Sequence, residues 1–388
     1  MPFDGVRTLA SLDDLPAASW DALSGSERNP FLRHAFLHAL EKSGCASPEQ
    51  GWTPRYLTLW RRGRLVAAAP AYMKEDSDGD FARDWDWAAA ASRARLRYYP
   101  KLCLTVPFTP VTGPRILVEP GEDRAACVAA IVDGARDLCK RERLANVQVL
   151  FPDEETAGLL EAAGLALRVS WQFHWRNEGY RTYDDFLARF NSKRRNMLKR
   201  ERAAAAGQGI TLRTVRAPEL DDRWGRIAHR LHSNTVDKLM WGRRWLNEDF
   251  YRRIFAAMPE DLEVVAAERD GAVVAGAFNV RSKTRLYGRY WGAFEDHPFL
   301  HFNACYYHSI EECIRQGLEV FEGGAGGEHK LPRGFLPAVT FSAHESLDPR
   351  LDQALRLSLA EETPQRRRSI ERAAEESPIF KRPELSPP

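Results

Sequence analysis

The stretch DLEVVAAERDGAVVAGAFNV, residues 261–280, decides the fold class of this chain. Two runs rich in valine and alanine flank Arg269-Asp270-Gly271, a turn sequence because aspartate and glycine tolerate positive φ angles. The pattern predicts a β-hairpin with strands at 261–268 and 272–280. A third strand is expected at 285–292, a helix from about Phe302 to Gln316 and a further strand at 318–322.

The first half of the chain shows a similar order of elements. Strands at 54–60 and 65–72 flank a polar turn, and a helix at 126–140 precedes a strand at 146–151. The chain has 388 residues, which is too long for one typical core. We therefore predict an α/β protein of two similar domains with mixed central sheets flanked by helices, at 1–180 and 181–362, and a C-terminal tail at 363–388.

Composition excludes several classes of protein. The net charge is only +2, so any nucleic-acid binding must rest on a local patch. None of the six cysteines forms a CxxC pair, and no cysteine–histidine grouping has zinc-like spacing, so we predict reduced thiols and no metal. The sequence has no signal-peptide pattern and no run of about 18 apolar residues, so we expect a cytoplasmic protein without a membrane span.

The segment from Glu322 to Lys330 is the strongest candidate site. Four glycines within five residues follow a predicted strand and leave backbone N–H groups, including those of Gly326 and Gly327, able to hold a phosphate or an oxyanion. Glu328 and His329 are candidates for proton transfer, and Lys330 for neutralising an anion. The alternative is a glycine-rich connector with a solvated charged end. The spacing does not match a phosphate-binding P-loop.

Several stretches resemble a known family of transferases. They are DWDW at 84–87, RYYPKL at 97–102, VPFTPVTGPR at 106–115, QFHWRN at 172–177, LYGRYWG at 286–292, and the segment from Phe321 to Phe335. As a set they resemble the Fem-like, or FemAB-type, proteins, specifically the proteobacterial family usually labelled peptidoglycan biosynthesis/recognition proteins. The resemblance implies two tandem GNAT-like acyltransferase domains and the transfer of an aminoacyl group from charged tRNA to an amine.

The resemblance also bears on single residues. Fem enzymes keep a lysine near the position of Lys330, which supports a catalytic role for it. At Asn303 the family pattern leads us to expect an acidic residue instead. The signature with which ordinary GNAT enzymes bind the coenzyme A pyrophosphate is absent from the sequence. No cofactor is therefore expected, and the acyl donor is a co-substrate, either aminoacyl-tRNA or acyl-coenzyme A.

Two further groups are candidates for substrate binding. In the second half, a substrate carbonyl could lie near the start of the predicted helix, although aromatic packing with Asn303 as a cap is an equal alternative. In the first half, a proline-stiffened aromatic loop could form an acceptor pocket, and packing alone is again equally consistent with the pattern. The candidates are Arg289, Trp291, His301, Asn303 and Arg333 in the second half, and Asp84, Trp85, Tyr99, Lys101 and Thr109 in the first.

A strongly basic helix is predicted to begin at Asp184 and to end near Gly207. Seven basic residues and one acidic residue lie between Arg189 and Arg202, beside an apolar stripe of Phe186, Phe190 and Met197. A solvated charged face and a surface for tRNA phosphates are equal interpretations. The candidate contacts are Lys193, Arg194, Arg195, Lys199, Arg200 and, further along, Lys238.

Three functions remain open from the sequence. The first is an aminoacyl-tRNA-dependent acyltransferase acting on an amine-bearing small molecule, peptide or cell-wall precursor. The second is an acyl-coenzyme A N-acyltransferase on the same scaffold. The third is a non-catalytic module that recognises a peptide or cell-wall precursor. The donor group, the acceptor and the oligomeric state are not determined by the sequence.

Overall fold

The computed structural model describes residues 2–23, 29–238, 242–324, 326–375 and 380. The chain divides into two compact units that interleave along the sequence. The first comprises residues up to 171 together with 245–254 and 339–368, and the second comprises 172–244, 255–338 and the residues from 369 onward. The boundaries predicted from sequence are contiguous, whereas these units each take up separate segments of the chain.

Fifteen strands are present in the described residues. They are β1 (Gly5–Leu9), β2 (Thr53–Pro54), β3 (Tyr56–Arg61), β4 (Arg64–Ala69), β5 (Ala71–Lys74), β6 (Lys101–Leu104), β7 (Leu117–Val118), β8 (Asn146–Leu150), β9 (Ala166–Arg176), β10 (Thr211–Val215), β11 (Leu262–Arg269), β12 (Ala272–Arg281), β13 (Arg285–Ala293), β14 (Val320–Glu322) and β15 (Leu336–Ser346).

Twelve α-helices accompany these strands in the same part of the chain. They are α1 (Ala17–Asp21), α2 (His34–Lys42), α3 (Trp85–Arg93), α4 (Arg124–Glu142), α5 (Glu154–Ala162), α6 (Tyr183–Ala188), α7 (Ser192–Gly207), α8 (Asp222–Asp237), α9 (Glu248–Ala257), α10 (Leu300–Phe302), α11 (Ser309–Gln316) and α12 (Pro349–Glu375).

In the first unit, strands form two sheets around α4. One sheet has the order β1-β3-β4-β7 and is antiparallel throughout. In the other, β6 pairs in parallel with β8, while β5 and the unit-1 part of β15 pair antiparallel on either side. The buried face of α4 packs with sheet residues such as Leu104 and Val149 into one apolar core. The predicted hairpin, helix and strand of this half are therefore present.

In the second unit, the hairpin of residues 261–280 forms as predicted, with β11 and β12 paired antiparallel. The sheet order is β10-β11-β12-β13-β14-β9, and the one parallel pair of this series is β13 with β14. That pairing spans only Arg285–Tyr287 against Val320–Glu322. Beyond it β13 continues to Ala293 and β14 ends, so the two strands are no longer hydrogen-bonded at this edge, where the candidate site lies.

The predicted basic helix is two helices, and the prediction of one continuous helix is wrong. The chain leaves α6 after Ala188, and Asn191 caps α7 by accepting a hydrogen bond from the Arg194 amide. Asparagine at this position competes for backbone hydrogen bonds and favours a helix start over a helix interior. Phe186 and Phe190 are both buried in the core on which the helices pack.

Candidate active site

The glycine-rich segment follows β14 and turns the chain sharply before a short 3-10 helix at Glu328–Arg333. Gly327 has φ of +92°, and a Cβ atom there would lie 2.8 Å from Cε1 of His329. Only glycine combines this conformation with such a close ring. The side chain of Glu328 lies outside the described part of the structure, so its predicted role in proton transfer stays a prediction.

Lys330 is the most unusual group of the segment. Its side chain is buried, with 3% of the residue exposed, and Nζ donates hydrogen bonds to the carbonyl oxygens of Gly324, at 2.7 Å, and Gly326, at 2.6 Å. No carboxylate among the described side chains pairs with it. Burial lowers the pKa of Lys330 to about 8. An ammonium has three N–H groups, and one of them has no partner among the described residues, so it is a candidate donor to a substrate oxygen.

His329 lies beside Lys330 and is held by a tyrosine. A π-helix at Asn303–His308 places Tyr306 so that its hydroxyl lies 2.9 Å from Nε2 of His329. Burial raises the pKa of Tyr306 far above its usual range, so the phenol keeps its proton and is neutral. Burial, Lys330 and Arg333 lower the pKa of His329, which favours a neutral ring. Single-turn π-helices are frequent at functional sites.

Arg333 holds this segment in place through hydrogen bonds. Its guanidinium is buried and donates to Oε2 of Glu201 at 2.7 Å, to the Tyr307 hydroxyl at 2.9 Å and to the backbone carbonyl of His329 at 2.7 Å. The Tyr307 hydroxyl in turn donates to Glu201. Three of the five N–H groups of Arg333 are thus bonded within the protein, one of them to the loop that carries His329, which favours a positioning role.

Glu201 connects the basic helix to the site. It is the one acidic residue of α7, and only 7% of it is exposed. Besides its bonds to Arg333 and Tyr307, its backbone carbonyl accepts a hydrogen bond from Nδ2 of Asn303 at 2.8 Å. Asn303 also donates to the carbonyl of Phe299 at 3.1 Å, which agrees with a structural role for its side chain.

Trp291 and His301 come together beside this cluster, as predicted for the second half. Their ring centroids are 5.3 Å apart, and the His301 ring is 5.8 Å from that of His329. Burial, followed by the charges of His329, Arg333 and Lys330, lowers the pKa of His301 to about 4. Both residues line a cavity of about 590 Å³ in the second unit.

Arg289 occupies an irregular position of β13. Phe278 pairs with Tyr290 and Asn279 pairs with Gly288, so Arg289 is the extra residue of a β-bulge. Bulges redirect side chains and are frequent next to active sites. Its guanidinium carbon lies 5.4 Å from the centre of the Tyr290 ring.

The candidates in the first half form a separate, largely buried group in the first unit. Nζ of Lys101 lies 2.8 Å from carboxylate oxygens of both Asp80 and Asp84, and all three side chains are fully buried. Although burial opposes the charged forms, the ion pairs raise the pKa of Lys101 and lower that of Asp84. This burial favours the packing alternative for Asp84 and Lys101.

The other first-half candidates differ in exposure. The hydroxyl of Thr109 is buried and donates to the carbonyl of Pro107, while the hydroxyl of Tyr99 lies 2.7 Å from that of Ser77. Trp85, with 55% of its surface exposed, is the one candidate of this group that is freely available to a ligand.

The basic residues of α7 divide into two sets. Arg202 pairs with Glu311 and packs over the Tyr183 ring, whereas Lys193, Arg195, Lys199 and Arg200 make no ion pair with any side chain that the structure describes. Lys193, Lys199 and Arg200 are exposed, and Arg194 contacts the Met197 sulfur. Lys238 lies apart from them, on the cavity wall.

Some residues of the site have no clear signal in the sequence. Tyr306 and Tyr307 look like core residues of a helix, and only the π-helical turn directs one to His329 and the other to Glu201. Glu201 could have been suspected, since a lone acid in a basic helix is unusual. An ion pair of the buried Glu322 with the partly exposed Arg285, beside His174, was also not predicted. Burial lowers the pKa of His174 to about 3.

Two observations bear on ions and membranes. Among the described residues, no group of three or more histidine, cysteine, aspartate or glutamate side chains is arranged to hold a metal ion. None of the helices in the described ranges is long and apolar enough to span a bilayer.

Each unit has a mixed sheet flanked by helices with one parallel pair of neighbouring strands, and each also has an antiparallel hairpin; two such units are the arrangement of the tandem GNAT acyltransferase fold. Residues 11–382 match the FemAB-like family, described as peptidoglycan biosynthesis/recognition, and this chain belongs to that family. The predicted fold class and family are thereby confirmed.

Solved structures share this fold at low sequence identity. FemX has a TM-score of 0.53 and 11% identity over 88% of this chain and 98% of its own. The C-terminal domain of a putative lysylphosphatidylglycerol synthetase from Agrobacterium fabrum has a TM-score of 0.53 and 12% identity, covering 89% and 95%. L-PGS from Bacillus licheniformis has a TM-score of 0.50 and 10% identity, covering 84% and 96%. No curated protein matches the sequence.

Proposed function

We propose that this protein transfers an aminoacyl group from aminoacyl-tRNA to an amine. The observation that carries the proposal is Lys330, a buried ammonium held by two backbone carbonyls, with one N–H group to spare and no carboxylate partner among the described side chains. Membership of the FemAB-like family and the exposed basic face of α7 support the same conclusion.

The reaction needs stabilisation of a developing negative charge. The amine nitrogen attacks the ester carbonyl carbon, a C–N bond forms, and the C–O bond to the ribose breaks. The amine proton is finally carried to the departing ribose hydroxyl. The free N–H of Lys330 is the proposed donor to the carbonyl oxygen as it becomes an oxyanion, with the backbone N–H groups of Gly326 and Gly327 as additional donors.

The proposed proton acceptor is His329, with Tyr306 as its hydrogen-bond partner. The neutral imidazole of His329 is a suitable acceptor for the amine proton at Nδ1 when its Nε2–H donates to the Tyr306 oxygen, a bond that also fixes the orientation of the ring. Glu328 remains the second candidate for this role. Positioning of the two substrates supplies a large share of the acceleration in such reactions.

The exposed basic face of α7 is the proposed contact for tRNA phosphates. Lys193, Lys199 and Arg200 project from one helix into solvent without a described carboxylate partner. Binding of this kind is independent of base sequence and sensitive to salt. Glu201 lies on the same helix and binds Arg333, which in turn binds the backbone of the Lys330 loop. A ligand on this face would therefore contact a helix that is bonded to that loop.

A second candidate function is acyl transfer from coenzyme A. It is favoured by the ending of the β13–β14 pairing at Tyr287 and Glu322, beyond which these two strands are not paired with each other. This alternative predicts that coenzyme A raises the melting temperature of the protein and that tRNA does not.

The test follows the loss of radiolabelled aminoacyl groups from a mixture of charged tRNAs with candidate amines present. We expect purified protein to accelerate this loss above background. The Lys330→Met variant should reduce it at least about 100-fold, the effect of removing an oxyanion donor. Lys283→Met, at an exposed lysine of the second unit, is the control and should leave the rate unchanged. No acceleration and no tRNA binding at low salt would refute the proposal.

A further inference from the structure

The cavity beside Trp291 has no role in the proposed reaction. Its volume is about 590 Å³, within the range of about 300–1,000 Å³ that holds small ligands. Trp291 and Ala293 from β13 form one wall, and Leu300 and His301 from α10 form another. Lys238 and Asp296 lie on its lining as well.

Close packing of α8 on β13 creates this space. A Cβ atom at Gly292 would lie 2.0 Å from the carbonyl oxygen of Leu231, so only glycine permits the approach. Thr235 of α8 then donates a hydrogen bond to the carbonyl of Trp291 at 2.5 Å. The Thr235 hydroxyl and the Trp291 carbonyl are therefore hydrogen-bonded to each other. The neighbouring wall of the cavity is formed by the apolar faces of Trp291, Ala293 and Leu300.

His301 lies between the cavity and the Lys330 loop. The His301 ring lines the cavity and lies 5.8 Å from the His329 ring, and Lys330 is close enough to contribute to the lowered pKa of His301. A carbonyl bound at Lys330 would thus have its substituent directed past His329 toward Trp291. A neutral His301 adds no charge to this path, which favours an apolar substituent.

Two charged groups of the lining complement an aminoacyl ester. Asp296 is almost fully exposed, at 96%, and its oxygen lies 3.5 Å from Nζ of Lys238, whose side chain is 54% exposed. Such a long, exposed pair contributes little, so both groups are available to a ligand. A carboxylate suits the α-ammonium of an aminoacyl group, and a lysine suits a phosphate near the end of the tRNA.

We infer that this cavity is the acyl pocket and that it selects aminoacyl groups with bulky apolar side chains, such as phenylalanyl or leucyl. The inference rests on the proposed function, since it places the donor ester at Lys330. Small groups such as glycyl or alanyl leave the walls formed by Trp291, Ala293 and Leu300 unfilled. A hydrophobic pocket discriminates by about 10-fold or more for each missing methylene group.

The experiment measures binding of 3′-aminoacylamino-3′-deoxyadenosine analogues to the full-length protein by calorimetry. The stable amide replaces the ester, so binding is separated from transfer. We expect the phenylalanyl and leucyl analogues to bind at least about 10-fold more tightly than the glycyl analogue. Equal affinities, or tighter binding of the glycyl analogue, would overturn the inference and leave the proposed function intact. Binding of none, together with no release from charged tRNA, would overturn both.

Variants separate the parts of the inference. Ala293→Leu fills the pocket and should reverse the preference in favour of alanyl and glycyl, whereas Ala272→Leu, at an exposed position of β12, should change nothing. Asp296→Asn should abolish the preference for the phenylalanyl analogue over its amine-free 3-phenylpropanoyl counterpart. If that preference persists, Asp296 does not bind the ammonium. The analogue series uses the natural protein, so it tests the central inference without any variant.

Discussion

At the scale of residues, the titration of Lys330 is expected to determine how the reaction rate depends on pH. Burial lowers its pKa from the ordinary value of 10.5 to about 8, so the ammonium is present below pH 8 and is lost as the pH rises through that value. The attacking acceptor amine must be neutral, so the rate is referred to the concentration of its neutral form. If the Lys330 ammonium stabilises the oxyanion, kcat/KM for the neutral amine should be constant below this pKa and fall about tenfold per pH unit above it. Steady-state rates between pH 6 and 10 measure this profile.

Lys330→Arg provides the control for the pH profile, because the guanidinium stays charged throughout this range. Its activity is expected to be lower than that of the natural protein but to lack the alkaline decline. A kcat/KM for the neutral acceptor amine that instead rises through pH 8 in the natural protein, and not in Lys330→Arg, would contradict the cationic role and identify the neutral amine of Lys330 as a base.

Loss of the ion pair between Glu201 and Arg333 is predicted to lower the free energy of unfolding. Glu201→Gln keeps the shape of the side chain but leaves Arg333 buried without its counter-charge, which costs about 3–5 kcal/mol of unfolding free energy. Glu311→Gln removes the exposed partner of Arg202 and should cost less than about 1 kcal/mol. Urea denaturation of the two variants compares them, and equal losses would show that Glu201 is not a structural anchor.

At the scale of elements, α7 is where the electrostatic proposal is tested. Replacing Lys199 and Arg200 with glutamine should weaken tRNA binding for all sequences alike. It should also reduce the slope of log K against log salt by about 2, close to one unit per lost phosphate contact. The matched control replaces Lys140 and Arg141, an equally charged exposed pair on α4. An equal effect of both pairs would indicate non-specific attraction rather than a binding surface.

Local patterns predicted most of the elements, and the failures have local physical reasons. The hairpin of residues 261–280 was predictable because its turn, Asp270-Gly271, adopts positive φ at both positions. The break between α6 and α7 was missed because the apolar stripe of Phe186 and Phe190 continues across it. The π-helical turn at Asn303–His308 has the same apolar spacing as an α-helix to within one residue, so periodicity does not distinguish them.

At the scale of the whole molecule, the division into units was beyond prediction from local pattern. Residues 245–254 join the first unit, with Phe250 packing against Phe36 and Trp245 stacking on Phe108. Such contacts link positions some 140 to 210 residues apart, and a single sequence carries no signal for them. Part of the candidate site, in contrast, was predictable, because Gly323 to Lys330 is contiguous in sequence and Trp291 and His301 lie on neighbouring elements; the contacts of Tyr306 and Glu201 were not.

The central claim is that the protein forms an amide from an aminoacyl ester. The most direct measurement is a single-turnover reaction of tRNA charged with radiolabelled amino acids, with a small-molecule and peptide fraction of a bacterial extract as the source of acceptors. The account predicts that label leaves tRNA and enters a product stable to mild alkali, as amides are and esters are not, and that Lys330→Met abolishes this product. Label that stays on tRNA, or is released only as free amino acid, would contradict it.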